Sequence, residues 1–188
     1  MRYFLLCMVW VFGVVGISFG QFAPFESGYI INNQGDTIEG QLRYGTPMQR
    51  SSKVVFKAAN DTLDEANSYK PFTIKSYFVK GETYDSKIYD PNPEQPNGYG
   101  AFMQRMNEGT VRVYYFWNTD KERGFTQTFL ENSLGVLTEV QWFNFKKQMA
   151  FYFSDFPQLS MKILRGAFDR KDLIQIAQEY NKWKRDGW

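Results

Sequence analysis

The sequence predicts an α+β fold: a mostly antiparallel sheet of about nine strands, arranged as a sandwich or partly open barrel, then two or three C-terminal helices. Three observations carry this. Short runs of alternating apolar and polar residues recur from residue 28 to about residue 140, punctuated by Gly, Asn, Asp and Pro clusters. From Trp142 the apolar period lengthens to three and four residues. Aromatic side chains make up 19% of the chain, a density that suits pleated strands around a large core.

Taken in order, the elements begin with a targeting segment. Met1-Arg2 brings one positive charge, and Tyr3 to Gly20 contains no charged residue. Ser18 and Gly20 put small residues ahead of Gln21, so residues 1–20 read as a secretory signal peptide cleaved after Gly20. The alternative is an uncleaved anchor, because about 18 apolar residues just span a bilayer. Residues 21–188 then form one β-rich domain with a helical tail over 141–188, and this mature chain has no transmembrane segment.

The stretch "GYIINNQGDTIEGQLRYG", residues 28–45, reads as a hairpin. Ile38, Gly40, Leu42 and Tyr44 alternate with Thr37, Glu39, Gln41 and Arg43, and "NQGD" makes the turn. It lacks the lysine and helix of a phosphate loop and the spaced acids of a calcium loop. Further strands are "KVVFK" (53–57), "KSYFVK" (75–80) and "TYDSKIY" (83–89), the last two meeting across Gly81-Glu82. Residues 90–100, "DPNPEQPNGYG", are a loop or a hinge between two halves. "AFMQRM" and "TVRVYYFW" flank "NEG", and "FTQTFL" and "VLTEVQ" flank "ENSLG", giving two more hairpins. Trp142, Phe145, Met149, Tyr152, Phe153 and Phe156 mark an amphipathic helix. A short helix follows Pro157 and is closed by Gly166, and Asp169 opens a last one with the stripe Leu173, Ile176, Ala177, Tyr180 and Trp183.

Composition excludes much chemistry. The chain has no histidine, and its single cysteine, Cys7, leaves with the signal. That removes Cys/His zinc sites, Ser-His-Asp triads and Cys-His nucleophiles, and it makes disulfides impossible in the mature chain. Without Arg2, 21 basic side chains face 20 acidic ones, which is no footprint for nucleic acid. The one basic cluster, Lys182 to Arg185, is a solvated helix end. No cofactor is indicated.

The first hairpin, "YKPFTIKSYFVKGETY", "NEGTVRVYYFW", "SDFPQLSMKIL" and "DLIQIAQEYN" together resemble a group of uncharacterised secreted proteins of Gram-negative bacteria. In that group a GYI…GDT..G hairpin follows the signal peptide, and in some relatives a similar segment precedes an outer-membrane barrel. The resemblance implies export and a β-rich domain with a helical tail, and it transfers no catalytic residue.

Two sets of residues are candidates for chemistry. The aromatic run gives Tyr114 and Phe116 on one strand face and Tyr115 and Trp117 on the other; one face is core, and the other is either covered by the C-terminal helices or open as a binding surface. Asp61, Asp64 and Glu65 are the weaker candidates, as carboxylates for acid–base work on glycan. Thr37 and Thr62 sit in Asp-Thr-aliphatic triplets of the kind glycosylated in some secreted bacterial proteins. The reading that follows is an exported, non-enzymatic cell-envelope protein, periplasmic, outer-membrane-associated or secreted, that binds an envelope protein or glycan. The alternatives are a carboxylate-dependent glycan hydrolase and a carrier of a small apolar ligand.

Overall fold

The computed structural model describes residues 23–60, 65–89, 99–118 and 125–187. Its first hairpin sets the pattern for the rest. β1 (Phe25–Ile31) and β2 (Thr37–Arg43) pair around a turn organised by Asn32, whose Oδ1 accepts from the N–H groups of Gly35 and Asp36 at 2.9 Å. Asp36 is a turn residue and Glu39 an exposed strand residue, as the alternation requires. Gly28 and Gly40 stand opposite each other in the ladder. A Cβ on Gly28 would lie 2.0 Å from the Phe78 carbonyl oxygen, and one on Gly40 2.0 Å from that of Lys57. Neither position has room for a side chain, so the two glycines of the motif serve close approach of neighbouring strands.

α1 (Pro47–Ser52) comes next and was not expected. Thr46 and Gln49 form a reciprocal capping box, with Thr46 N–H donating to Gln49 Oε1 at 2.9 Å. β3 (Val54–Ala58) returns to pair with β2, and β4 (Asn67–Tyr69), also unexpected, lies on its outer side. Three residues are too few to show an alternating pattern. β5 (Ser76–Val79) and β6 (Glu82–Tyr89) are joined at Lys80 and Gly81, both at positive φ (53° and 80°). The turn thus lies one residue earlier than expected and has the mirror-image twist that suits a two-residue hairpin.

β7 (Tyr99–Arg105) pairs with β6 over seven positions. The stretch expected as a loop or hinge is 90–100; residues 90–98 lie outside the described residues, and Tyr99 and Gly100 open β7. β8 (Arg112–Asn118), β9 (Phe125–Glu131) and β10 (Leu137–Glu139) complete one antiparallel sheet in the order β10-β9-β8-β7-β6-β5-β1-β2-β3-β4. It is a single open sheet with β10 and β4 at its edges, not a sandwich. Helices rather than a second sheet cover the apolar side chains of one face.

A 3₁₀ turn, Trp142–Asn144, leads into α2 (Phe145–Tyr152); α3 (Pro157–Leu164) and α4 (Leu173–Arg185) follow. Of the stripes read from the sequence, Phe145, Met149 and Phe153, then Leu173, Ile176, Ala177 and Tyr180, are buried with Val113 and Leu130 of the sheet, while Trp142, Tyr152, Phe156 and Trp183 pack half-buried against them. The first stripe is not one helix, since Trp142 lies in the 3₁₀ turn and Phe156 caps α3. Each such large side chain contributes about 1.5–3 kcal/mol by leaving water. A second apolar cluster, including Ile30, Leu42, Phe56, Tyr77 and Phe102, fills the same face over β1–β3 and β5–β7. The α+β class is as the sequence predicts. Asp155 ties the helices together by accepting from Tyr180 Oη at 2.7 Å and pairing with Lys184 Nζ at 2.8 Å. Burial alone would raise its pKa, but the hydrogen bonds from Lys184 and Tyr180 outweigh it and hold the carboxyl below its ordinary value.

Candidate binding cleft

One irregularity of the sheet builds the cleft. β7 and β8 pair only at Gln104↔Tyr115 and Arg105↔Tyr114, whereas each pairs over seven positions with its other neighbour. Toward Tyr99 and Asn118 no such pairing joins them, and α1 packs against both. The result is two adjoining cavities of about 170 and 200 Å³ that share Ser51, Phe116 and Trp117. Tyr99, Ala101 and Met48 wall the first; Tyr84, Tyr115 and Gln104 wall the second.

α1 is pinned by aromatic contacts. Tyr77 Oη donates to the Arg50 carbonyl oxygen at 2.8 Å, and the Arg50 guanidinium lies 4.3 Å from the Tyr44 ring centroid. Glu82 accepts from Tyr44 and Tyr84 at 3.0 and 2.6 Å. Burial, then the Glu82 hydrogen bond, pushes the Tyr84 hydroxyl above its ordinary pKa, so it stays a donor. Arg50 Nε is buried without a hydrogen-bond partner. Half-buried Gln104, Tyr115 and Trp117 make no side-chain hydrogen bond among the described residues. The cleft therefore presents aromatic surface together with the Gln104 amide, which a ligand can satisfy.

On the other face of β6–β9 lies a second constellation, charged and closed. The sheet curls enough for β6 to reach β9 across two strands: Lys87 ion-pairs with Glu131, and Tyr89 Oη donates to Gln127 Oε1 at 3.0 Å. Glu131 also accepts from Arg112 Nη1 at 3.3 Å. Tyr114 Oη sits 2.7 Å from Asp85 Oδ2 and 3.2 Å from Glu131 Oε2; its one hydrogen goes to the nearer, Asp85. Arg105 Nε is 3.4 Å from Asp85. Burial, reinforced by Asp85, raises the Tyr114 pKa and keeps its proton on. Two carboxylates bridged by a tyrosine and matched by three cations cross-link strands β6 to β9.

The aromatic run is thus divided. Tyr114 is fully buried and offers no open surface, and Phe116, 9% exposed, shows only an edge; both sit in a cluster with Tyr89, Met103 and Phe129. Val113 and Tyr115 face the C-terminal helices. Tyr115 and Trp117 are half-buried and line the cleft, as does the rim of Phe116. Asp61, Thr62 and Asp64 lie outside the described residues; Glu65 and Thr37 are exposed. Sequence reading missed α1, although T-x-x-Q after Gly45 is a legible capping box. It missed the Asp85–Tyr114–Glu131 bridge because nothing local links residues 46 positions apart. Compared with protein-family models, curated proteins and solved structures, the chain has no match in any of the three.

Proposed function

We propose that this protein is an exported, non-enzymatic binding module of the cell envelope and that the cleft beneath α1 engages its partner, an envelope protein or glycan. The observation that carries this reading is the cleft itself: Trp117, Tyr115 and Tyr99 beside Gln104, whose amide makes no hydrogen bond among the described residues, with Arg50 in its wall. Aromatic faces edged by an amide without a protein partner suit a sugar ring or a protruding side chain. The two adjoining cavities, about 170 and 200 Å³, together reach only the lower end of the roughly 300–1,000 Å³ typical of small-molecule pockets. The hydrolase reading gains nothing from Asp85 and Glu131, since cations and Tyr114 engage both. Export rests on the signal pattern of residues 1–20 and on the resemblance of the first hairpin to secreted proteins.

Cross-linking in intact cells, with partners quantified by mass spectrometry, tests it. A partner captured by the wild type and lost in Trp117→Ala, with circular dichroism unchanged, is the expected result. Equal capture by both chains overturns the assignment to the cleft. An N-terminal sequence starting at Gln21 in an exported fraction is expected for the localisation; retention in the cytoplasm overturns it.

A further inference from the structure

We propose that the outer face of α2 docks the protein on an anionic lipid surface. Phe143 and Phe151 are 85% and 83% exposed, an unusual state for two phenylalanines. Phe143 stands in the 3₁₀ turn that leads into α2, and Lys147 and Phe151 lie one turn apart on α2, away from its buried Phe145 and Met149. An exposed aromatic ring therefore stands near each end of α2, with Lys147 between them in sequence. Beside them, Lys146, Lys147 and Arg170 wall a groove of about 340 Å³ that includes one acid, Asp169. Among the described residues none of these three cations has an ion-pair partner, whereas Lys162 and Lys184 do.

The charge of the helical layer selects the occupant. Residues 141–187 carry nine Lys and Arg against five Asp and Glu, a net charge of +4 in a chain whose total is +2. A second copy presenting the same face would meet like charge. An acyl boundary that takes the Phe143 and Phe151 rings, under phosphates that meet Lys146, Lys147 and Arg170, matches both properties at once. This surface is separate from the cleft, and its failure would leave the cleft reading standing.

The test uses the full chain with a nitrobenzoxadiazole label on Asn144→Cys in a Cys7→Ser background. Asn144 is exposed and its side chain makes no capping bond. Vesicles of phosphatidylcholine alone are compared with vesicles containing about one-third phosphatidylglycerol. The expected result is a blue shift on the anionic vesicles only, reversed by salt. Apparent affinity should fall on the order of tenfold or more in Phe143→Ser/Phe151→Ser and in Lys146→Glu/Lys147→Glu. Residues 1–20 are present in every variant, so attachment through them does not imitate this pattern. No shift on anionic vesicles, an equal shift on neutral ones, or indifference to both double substitutions in natively folded protein overturns the proposal.

Discussion

Replacing Glu131 by alanine exposes what the charged bridge contributes. The Glu131 side chain is 5% exposed and receives Lys87, Arg112 and the more distant contact of Tyr114. Its removal strands Lys87, only 17% exposed, without an ion partner. Arg112, at 41% exposure, is free to turn to water and counts for little. Breaking a buried pair by deleting one member costs about 3–5 kcal/mol, most of it the uncompensated charge. With one partner at the surface, about 3 kcal/mol is expected, or a fall in Tm of about 6–12 °C for a domain of this size. Urea titration at fixed salt, followed by circular dichroism, measures it. Arg112→Ala should cost at most about 1 kcal/mol. In Glu131→Ala/Lys87→Met, which removes the stranded charge too, about 2 kcal/mol should return as a coupling term. A Glu131→Ala cost equal to that of Arg112→Ala, or a double variant no better than the single, would refute the argument that Lys87 is held in place chiefly by Glu131.

Other perturbations test other parts of the molecule. Gly40→Ala should destabilise by about 2–4 kcal/mol, because the new Cβ meets the Lys57 carbonyl oxygen and the Phe56 ring; a thermal melt within about 2 °C of wild type would show that the strands part easily. Thr46→Ala should cost about 1 kcal/mol by removing the α1 cap and should weaken any ligand of the cleft, while leaving vesicle binding unchanged. Tyr77, Tyr84 and Tyr114 are 1%, 3% and 0% exposed, and burial holds all three pKa values above the ordinary tyrosine value. Folded-state values above the unfolded one mean stability that is complete below about pH 10 and declines as the unfolded chain ionises. The loss should reach up to about 4 kcal/mol by pH 11, and urea midpoints that stay flat from pH 9 to 11 would contradict it.

Sequence alone determined the excluded chemistries, the fold class and most of the elements. These are local properties. Alternation around "NQGD" fixes a hairpin, the stripe Leu173, Ile176, Ala177, Tyr180 fixes a helix face, and the absence of His removes mechanisms whatever the fold. The aromatic run was legible as a strand with two faces. Which rings stay reachable was not, since that depends on strands β6, β7 and β9 and on α1 arriving from elsewhere in the chain.

Only the tertiary structure decided the rest. β7 and β8 share two paired positions, so a cleft opens where α1 lies, and Trp117 and Tyr115 line it while Tyr114 is sealed inside. Asp85 and Glu131 meet at Tyr114 because the sheet curls, a global property that no window of sequence contains. Phe143 and Phe151 fall off the apolar stripe read from the sequence, but only the packing of α2 and its preceding 3₁₀ turn shows that no other element covers them.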